Sequence, residues 1–140
     1  IPCKNTLVTA LNHKPNEVLS NKHYLCVFDN EDVVRNIKPD FSKIANLDLP
    51  AVIITAPGSK GFDFVCRFFA PANGVLEDPV SGVALCCLTP FWGQRLEKQS
   101  MMARQLSSRG GTVKCEYKYG GDHVSLTGTS IIFLEGRISL

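Results

Sequence analysis

The sequence predicts an α+β domain in which a mixed or antiparallel sheet wraps around one central, buried helix. Two observations predict this class. One long apolar segment, Ser81 to Leu96, has the composition of a helix that is apolar on nearly every side. Short runs of strand-forming residues surround it, and glycine-containing turns typical of hairpins separate the last of them. The 140 residues suffice for one domain of ordinary size.

The individual elements follow from prolines, glycines and capping residues. Residues 1–22 are mixed and polar, and we expect them to form a linker leading into a domain at 23–140. Pro90 lies inside the long apolar helix and is expected to kink it or end it early. The other predicted elements are a strand at 24–28, short helices starting at Asn30 and at Pro39-Asp40, strands at 51–56 and 63–69, and strands at 102–107, 112–119, 123–126 and 130–137.

Composition argues against several classes of protein. The 15 Lys and Arg residues against 13 Asp and Glu give a net charge of +2, which is not the balance of a nucleic-acid-binding arm. No apolar run reaches the roughly 20 residues that a membrane span needs, and no secretory signal opens the chain. We therefore expect a cytoplasmic protein with neither nucleic acid nor membrane as a partner. Its six cysteines are expected to be reduced and buried, and its three scattered histidines predict no metal site.

The most informative stretch for chemistry is the acidic loop before the long helix. Glu77 and Asp78 end this loop, and the helix begins within three residues. Its first N–H groups, those of Ser81, Gly82 and Val83, are expected to point at one spot, where the helix dipole favours a carboxylate or a phosphate. Asp78 beside them could exchange a proton with the bound molecule. The alternative is that Asp78 or Ser81 simply caps the helix.

A second candidate is the turn Arg109-Gly110-Gly111. An arginine before two glycines can hold a carboxylate with its guanidinium group while the turn exposes backbone donors. The alternative is a hairpin turn with a solvated arginine.

A long, ordered series of motifs resembles the PhzF-like phenazine biosynthesis family. The likeness runs from about residue 20 to the end of the chain. The motifs are FDNEDVVRNIKPDFSKIANL, FVCRFFAPANGVLEDPVSGVALCCLTPFWGQRL, ARQLSSRGG, LTG and LEG.

The resemblance implies a diaminopimelate-epimerase-like fold, in which two similar halves each wrap a sheet around a central helix. The active site then lies in the cleft between the halves, and this chain is similar to the C-terminal half only. The catalytic glutamate of the family belongs to the N-terminal half, and nothing here matches it. The resemblance thus implies half of a cofactor-independent isomerase or epimerase that moves a proton on a small carboxylic acid. We expect it to be inactive without the N-terminal half and to associate with that half or as a homo-oligomer such as a dimer.

The resemblance also assigns site residues. It places Asp78 in the active site, and it places the substrate carboxylate at the helix start formed by Ser81, Gly82 and Val83. Where the family usually has Thr-Gly-Ser-Ala-His, this chain has Ser-Gly-Val-Ala-Leu, so Val83 lacks a hydroxyl and Leu85 lacks an imidazole. These departures keep an alternative open, in which the domain is a catalytically decayed or non-enzymatic module that binds other proteins.

Overall fold

The computed structural model describes residues 1–139, and within them seven strands form one mixed sheet whose spatial order is the order along the chain. The strands are β1 (Glu17–Ser20), β2 (Tyr24–Val27), β3 (Val52–Pro57), β4 (Phe64–Phe69), β5 (Ser100–Gln105), β6 (Gly111–Tyr117) and β7 (Val124–Thr127). The helices are α1 (Asn5–Leu11), α2 (Glu31–Asn36), α3 (Phe41–Ala45) and α4 (Gly82–Leu96), with a 3-10 turn at Pro71–Asn73.

Two crossover connections place helices on opposite faces of the sheet. Strands β2 and β3 are parallel and are joined through α2 and α3, while β4 and β5 are parallel and are joined through α4. Because β3 and β4 are antiparallel, the two crossovers start from strands that run in opposite directions. The preference for right-handed crossovers then sends the two sets of helices to opposite faces.

Each face of the sheet has its own apolar cluster. Tyr24 and Cys26 of β2 pack with α1, α2 and α3, whereas Leu25 and Val27 of the same strand pack on the side of α4. The alternation is that of a strand with side chains on two faces. Because the central strands are covered on both sides, all four residues of β2 and all six of β4 are buried. The prediction of a helix-centred sheet is confirmed, with the addition of this second helical layer.

Helix α4 is fixed to the sheet by a buried polar contact. The indole N–H of Trp92 donates to Oγ1 of Thr55 at 2.9 Å, and that hydroxyl donates to the carbonyl of Val65 at 2.7 Å. Pro90 does not end the helix early, since α4 continues to Leu96. It removes only the bond to the carbonyl of Cys86, a residue on the exposed side of the helix, where water can hydrate that carbonyl.

Residues 1–22 differ from the linker that the sequence predicts. Helix α1 buries Leu7, Ala10 and Leu11, which lie at the spacing of one helical face, and it packs against α3. Strand β1 pairs with β2 in antiparallel register. These residues are therefore an integral part of the layer opposite α4, and their polar side chains form its outer surface.

The predicted strand at 130–137 does not form. Residues 128–139 contain neither helix nor strand, and the large apolar side chains in this part of the chain are 82–95% exposed. They are Ile131, Ile132, Phe133, Leu134 and Ile138. An apolar strand needs a neighbour to supply its hydrogen bonds and to cover its side chains. No strand of residues 1–139 supplies that here.

None of the helices in residues 1–139 combines the length and the apolar character that crossing a membrane requires.

Candidate functional site

The start of α4 is capped by Ser81, not by Asp78. The Ser81 hydroxyl accepts a hydrogen bond from the N–H of Ala84 at 3.1 Å, as an N-cap residue does. The N–H of Ser81 itself donates to Oε1 of Gln105 at 2.8 Å. Contrary to the expectation from the sequence, this N–H is therefore not open to a ligand. In residues 1–139, no acceptor pairs with the N–H groups of Gly82 and Val83, and both residues are exposed. The donors open to a ligand are therefore these two.

Asp78 has a fixed backbone and a free carboxylate. Its N–H donates to the carbonyl of Phe68 at 3.0 Å, and its own carbonyl accepts from Nε2 of Gln105 at 2.6 Å. The side chain is half-buried, and no residue among 1–139 makes a hydrogen bond or an ion pair with its carboxylate. A carboxylate without a partner, on a backbone held in place, is available to exchange a proton with a ligand.

The glycine turn lies against the acidic loop. The Ser107 hydroxyl donates to the carbonyl of Pro79 at 2.7 Å and accepts from the N–H of Gly110 at 3.0 Å. Gly110 has a φ of +72°, and a Cβ added to Gly111 would lie 2.3 Å from Cγ2 of Val80. The turn therefore requires glycine at both positions for its own shape and for its close approach to the loop.

The sequence-predicted site residues are thus only partly brought together. The structure joins the acidic loop, the start of α4 and the two glycines. The Arg109 side chain is exposed and makes no hydrogen bond or ion pair within residues 1–139, so its role in binding stays a prediction. Leu85 is 1% exposed and belongs to the apolar cluster beneath α4, so it is a core residue in this chain.

Sequence reasoning missed a buried ion pair that holds the acidic loop. Arg67 of β4 is 8% exposed and forms a two-pronged pair with Glu77, at 2.8 Å from Nε and 3.0 Å from Nη2. Its Nη1 donates to the carbonyls of Val34 and Ile37, where α2 ends. The one charged residue in an otherwise apolar strand was the available signal, because a buried arginine requires a partner.

The outward face of α4 is not buried, contrary to expectation. Val83 is 53% exposed, and Cys86 and Cys87 are exposed as well. A cavity of about 680 Å³ lies along this face, lined by Leu19, Ser20, Asn21, Lys22, His23, Leu25, Ile53, Gly82, Val83, Cys86 and Cys87. Partial burial raises the pKa of the Cys87 thiol. Across residues 1–139, no three His, Cys, Asp or Glu side chains come together as metal ligands would.

Comparison with known proteins identifies the class to which this fold and site belong. Residues 4–136 match the model of the phenazine biosynthesis-like protein family, PhzC-PhzF, and the chain belongs to this family. A structure of a phenazine biosynthesis protein of the PhzF family from Enterococcus faecalis superposes with a TM-score of 0.89 at 39% identity. It covers 100% of this chain, and this chain covers 53% of that one. The predicted family and the diaminopimelate-epimerase-like α+β fold are both confirmed.

Curated relatives carry names that refer to isomerases. An uncharacterized isomerase from Pseudomonas aeruginosa is 46% identical over 135 residues, which are 96% of this chain and 51% of the relative. A human phenazine biosynthesis-like domain-containing protein is 32% identical over 146 residues, covering 96% of this chain and 49% of the relative. The chain thus spans about half the length of these relatives.

Proposed function

We propose that this chain is the C-terminal half of an isomerase or epimerase that moves a proton on a small carboxylic acid without a cofactor. The observation that carries the proposal is the free carboxylate of Asp78 in the loop that leads into α4, whose N–H groups at Gly82 and Val83 have no partner within residues 1–139. Membership of the family and the isomerase names of several relatives support the class of reaction.

In this mechanism the helix start holds the substrate and Asp78 exchanges the proton. The N–H groups of Gly82 and Val83 and the positive end of the helix dipole bind the substrate carboxylate. As a proton leaves the neighbouring carbon, negative charge spreads onto that carboxylate, where the same fixed donors stabilise it. Asp78 acts as the acid or the base on one side, and an acidic residue of the other half acts on the opposite side. One proton leaves and one returns, so no oxidant or reductant is needed.

The second candidate function is a protein-binding module in which catalysis has been lost. Val83 favours it, because this residue presents an exposed apolar side chain at the helix start where a hydroxyl would bind an anion. The two candidates differ in whether the helix start binds a carboxylate at all.

Binding at the helix start is expected to be visible in the isolated chain. When small mono- and dicarboxylates are titrated in, the amide resonances of Gly82 and Val83 should shift, because they offer free donors. Val83→Pro removes one donor in the first turn, where proline is tolerated, and should weaken the response. Asp32→Pro, at the exposed second residue of α2, is the matched control, because it places proline in the first turn of another helix. Amide resonances of Gly82 and Val83 that do not respond to any carboxylate would favour the protein-binding module.

The proposed partner is the other half of such a polypeptide, with a second copy of this chain as the alternative. Two exposed surfaces are the proposed contacts with this partner: the outward face of α4 with its cavity, and the segment 130–138. Each exposes large apolar side chains, and exposed apolar patches mark surfaces that bind another protein. The chain spans only half the length of its relatives, which supports a covalently joined half as the natural occupant.

By itself, the chain is expected to self-associate in sedimentation experiments. Replacing Ile131 and Phe133 by serine should shift the population toward the monomer, because these side chains are 89% and 95% exposed. Tyr119→Ser removes a 49%-exposed aromatic side chain outside this segment and should have little effect. A monodisperse monomer of the unmodified chain would argue against an uncovered interface.

A further inference from the structure

Gln105 stands out as a fully buried amide in the described chain. It lies at the end of β5 and is 1% exposed. A buried amide is unfavourable unless its hydrogen bonds are made, and an apolar side chain at the end of a strand would fill the same space without that requirement. Packing the core therefore does not by itself call for glutamine at this position.

Both ends of the Gln105 amide bind the backbone of the acidic loop. Nε2 donates to the carbonyl of Asp78 at 2.6 Å, and Oε1 accepts from the N–H of Ser81 at 2.8 Å. One side chain thus spans the loop from its acid to the cap of α4. Because it uses a donor and an acceptor at once, neither glutamate nor methionine can replace it fully.

The Gln105 amide also occupies one donor next to the open ones at the helix start. It pairs with the N–H of Ser81, while those of Gly82 and Val83 in the first turn of α4 have no acceptor within residues 1–139. It also fixes the peptide carbonyl of Asp78, from which the free carboxylate extends. The acid and the donors are therefore held in one fixed relation by a side chain that touches neither.

We propose that Gln105 is a positioning residue that locks the Asp78–Ser81 loop so that the carboxylate of Asp78 and the N–H groups of Gly82 and Val83 act on one substrate. This inference rests on the function proposed above for Asp78. Small displacements of a reacting group lower the rate strongly. The loss of Gln105 should therefore affect turnover more than its effect on folding would suggest.

The first part of the test is amide hydrogen exchange in the 140-residue chain. In Gln105→Met, exchange at Ser81 should accelerate on the order of tenfold or more relative to β3 and β4, because its acceptor is gone. In Gln105→Glu the acceptor remains while the donor to Asp78 is lost, so Ser81 should stay better protected than in Gln105→Met. Tyr24→Phe is the control, since it removes a hydrogen bond from a buried side chain to Asp48 elsewhere in the fold. If exchange at Ser81 rises no more than exchange in β3 and β4, Gln105 does not hold the loop and the proposal is wrong.

The second part is turnover of the polypeptide that joins this chain to its other half. Gln105→Met should lower kcat on the order of tenfold or more with KM little changed, because binding donors remain and the acid is misplaced. Tyr24→Phe should keep its kcat even if it is equally destabilised. A Gln105→Met protein that retains kcat, when Asp78→Asn has lost it, overturns the positioning role. If Asp78→Asn also retains kcat, the function proposed above is wrong. Gln105 then has no role in catalysis, even if it holds the loop.

Discussion

Replacing Asp78 by asparagine is expected to lower turnover of the complete polypeptide by a factor on the order of 10² or more, because a general acid or base is lost. Folding should be nearly unaffected, within about 0.5 kcal/mol, since asparagine has the same shape and the carboxylate has no partner within residues 1–139. The measurement is turnover together with a urea unfolding curve for each protein.

Two further variants separate catalysis from helix capping. Ser81→Ala removes the observed cap and should cost about 0.5–2 kcal/mol of unfolding free energy. Asp122→Asn changes an exposed acid in the turn between β6 and β7 and should alter neither turnover nor stability. If Asp78→Asn lowers stability as Ser81→Ala does and leaves turnover intact, Asp78 is structural.

Breaking the buried ion pair of Arg67 should cause the largest loss of stability. Arg67→Met leaves the carboxylate of Glu77 and the carbonyls of Val34 and Ile37 without their donor, and such a change costs about 3–5 kcal/mol. A shift of the urea midpoint measures this loss. The free loop should also expose the backbone of Asp78, which follows Glu77 directly.

A matched control for that variant is Arg35→Met. Arg35 pairs with Glu31 four residues earlier in α2; the Arg35 side chain is exposed, and such pairs within one helix contribute below about 1 kcal/mol. The double variant Arg67→Met with Glu77→Met should recover part of the loss, because no charge is then left unpaired. Equal losses in Arg67→Met and Arg35→Met would contradict the importance of the buried pair.

Local signals in the sequence were sufficient to predict most helices and strands, but not which other elements pack against them. The caps Asn30, Asp40 and Ser81 predict helix starts that the structure confirms, because a cap depends on bonds within three residues. Helix α1 was missed because its apolar face is only three residues long among polar ones. Its stability comes from packing against α3, which no local pattern reveals.

The sequence also could not predict which apolar side chains are exposed to solvent. The apolar composition of 81–96 correctly indicates a helix, but it does not say which sides the sheet will cover. Cys86 and Cys87 therefore looked buried and are exposed. The segment 130–137 has the composition of a strand, yet a strand forms only against a neighbour.

The residues of the candidate site also differ in whether local sequence signals reveal them. Asp78 and the helix start could be proposed from the sequence because an acid lies close to a helix N-terminus there. Gln105 and Arg67 were not found, because the groups they bind lie 10 to 33 residues away along the chain. Only the sheet, which sets β4 beside β5, brings both residues to one loop.

The measurement that tests the central claim most directly is uptake of deuterium from heavy water into a panel of small carboxylic acids. Three samples are compared: this chain alone, the polypeptide that joins it to its other half, and the joined polypeptide carrying Asp78→Asn. We expect the joined polypeptide to label one carbon-bound position of at least one acid, and the other two samples to label none at a comparable rate. Labelling by the isolated chain, or undiminished labelling with Asp78→Asn, would contradict an active site completed by a second half and served by Asp78.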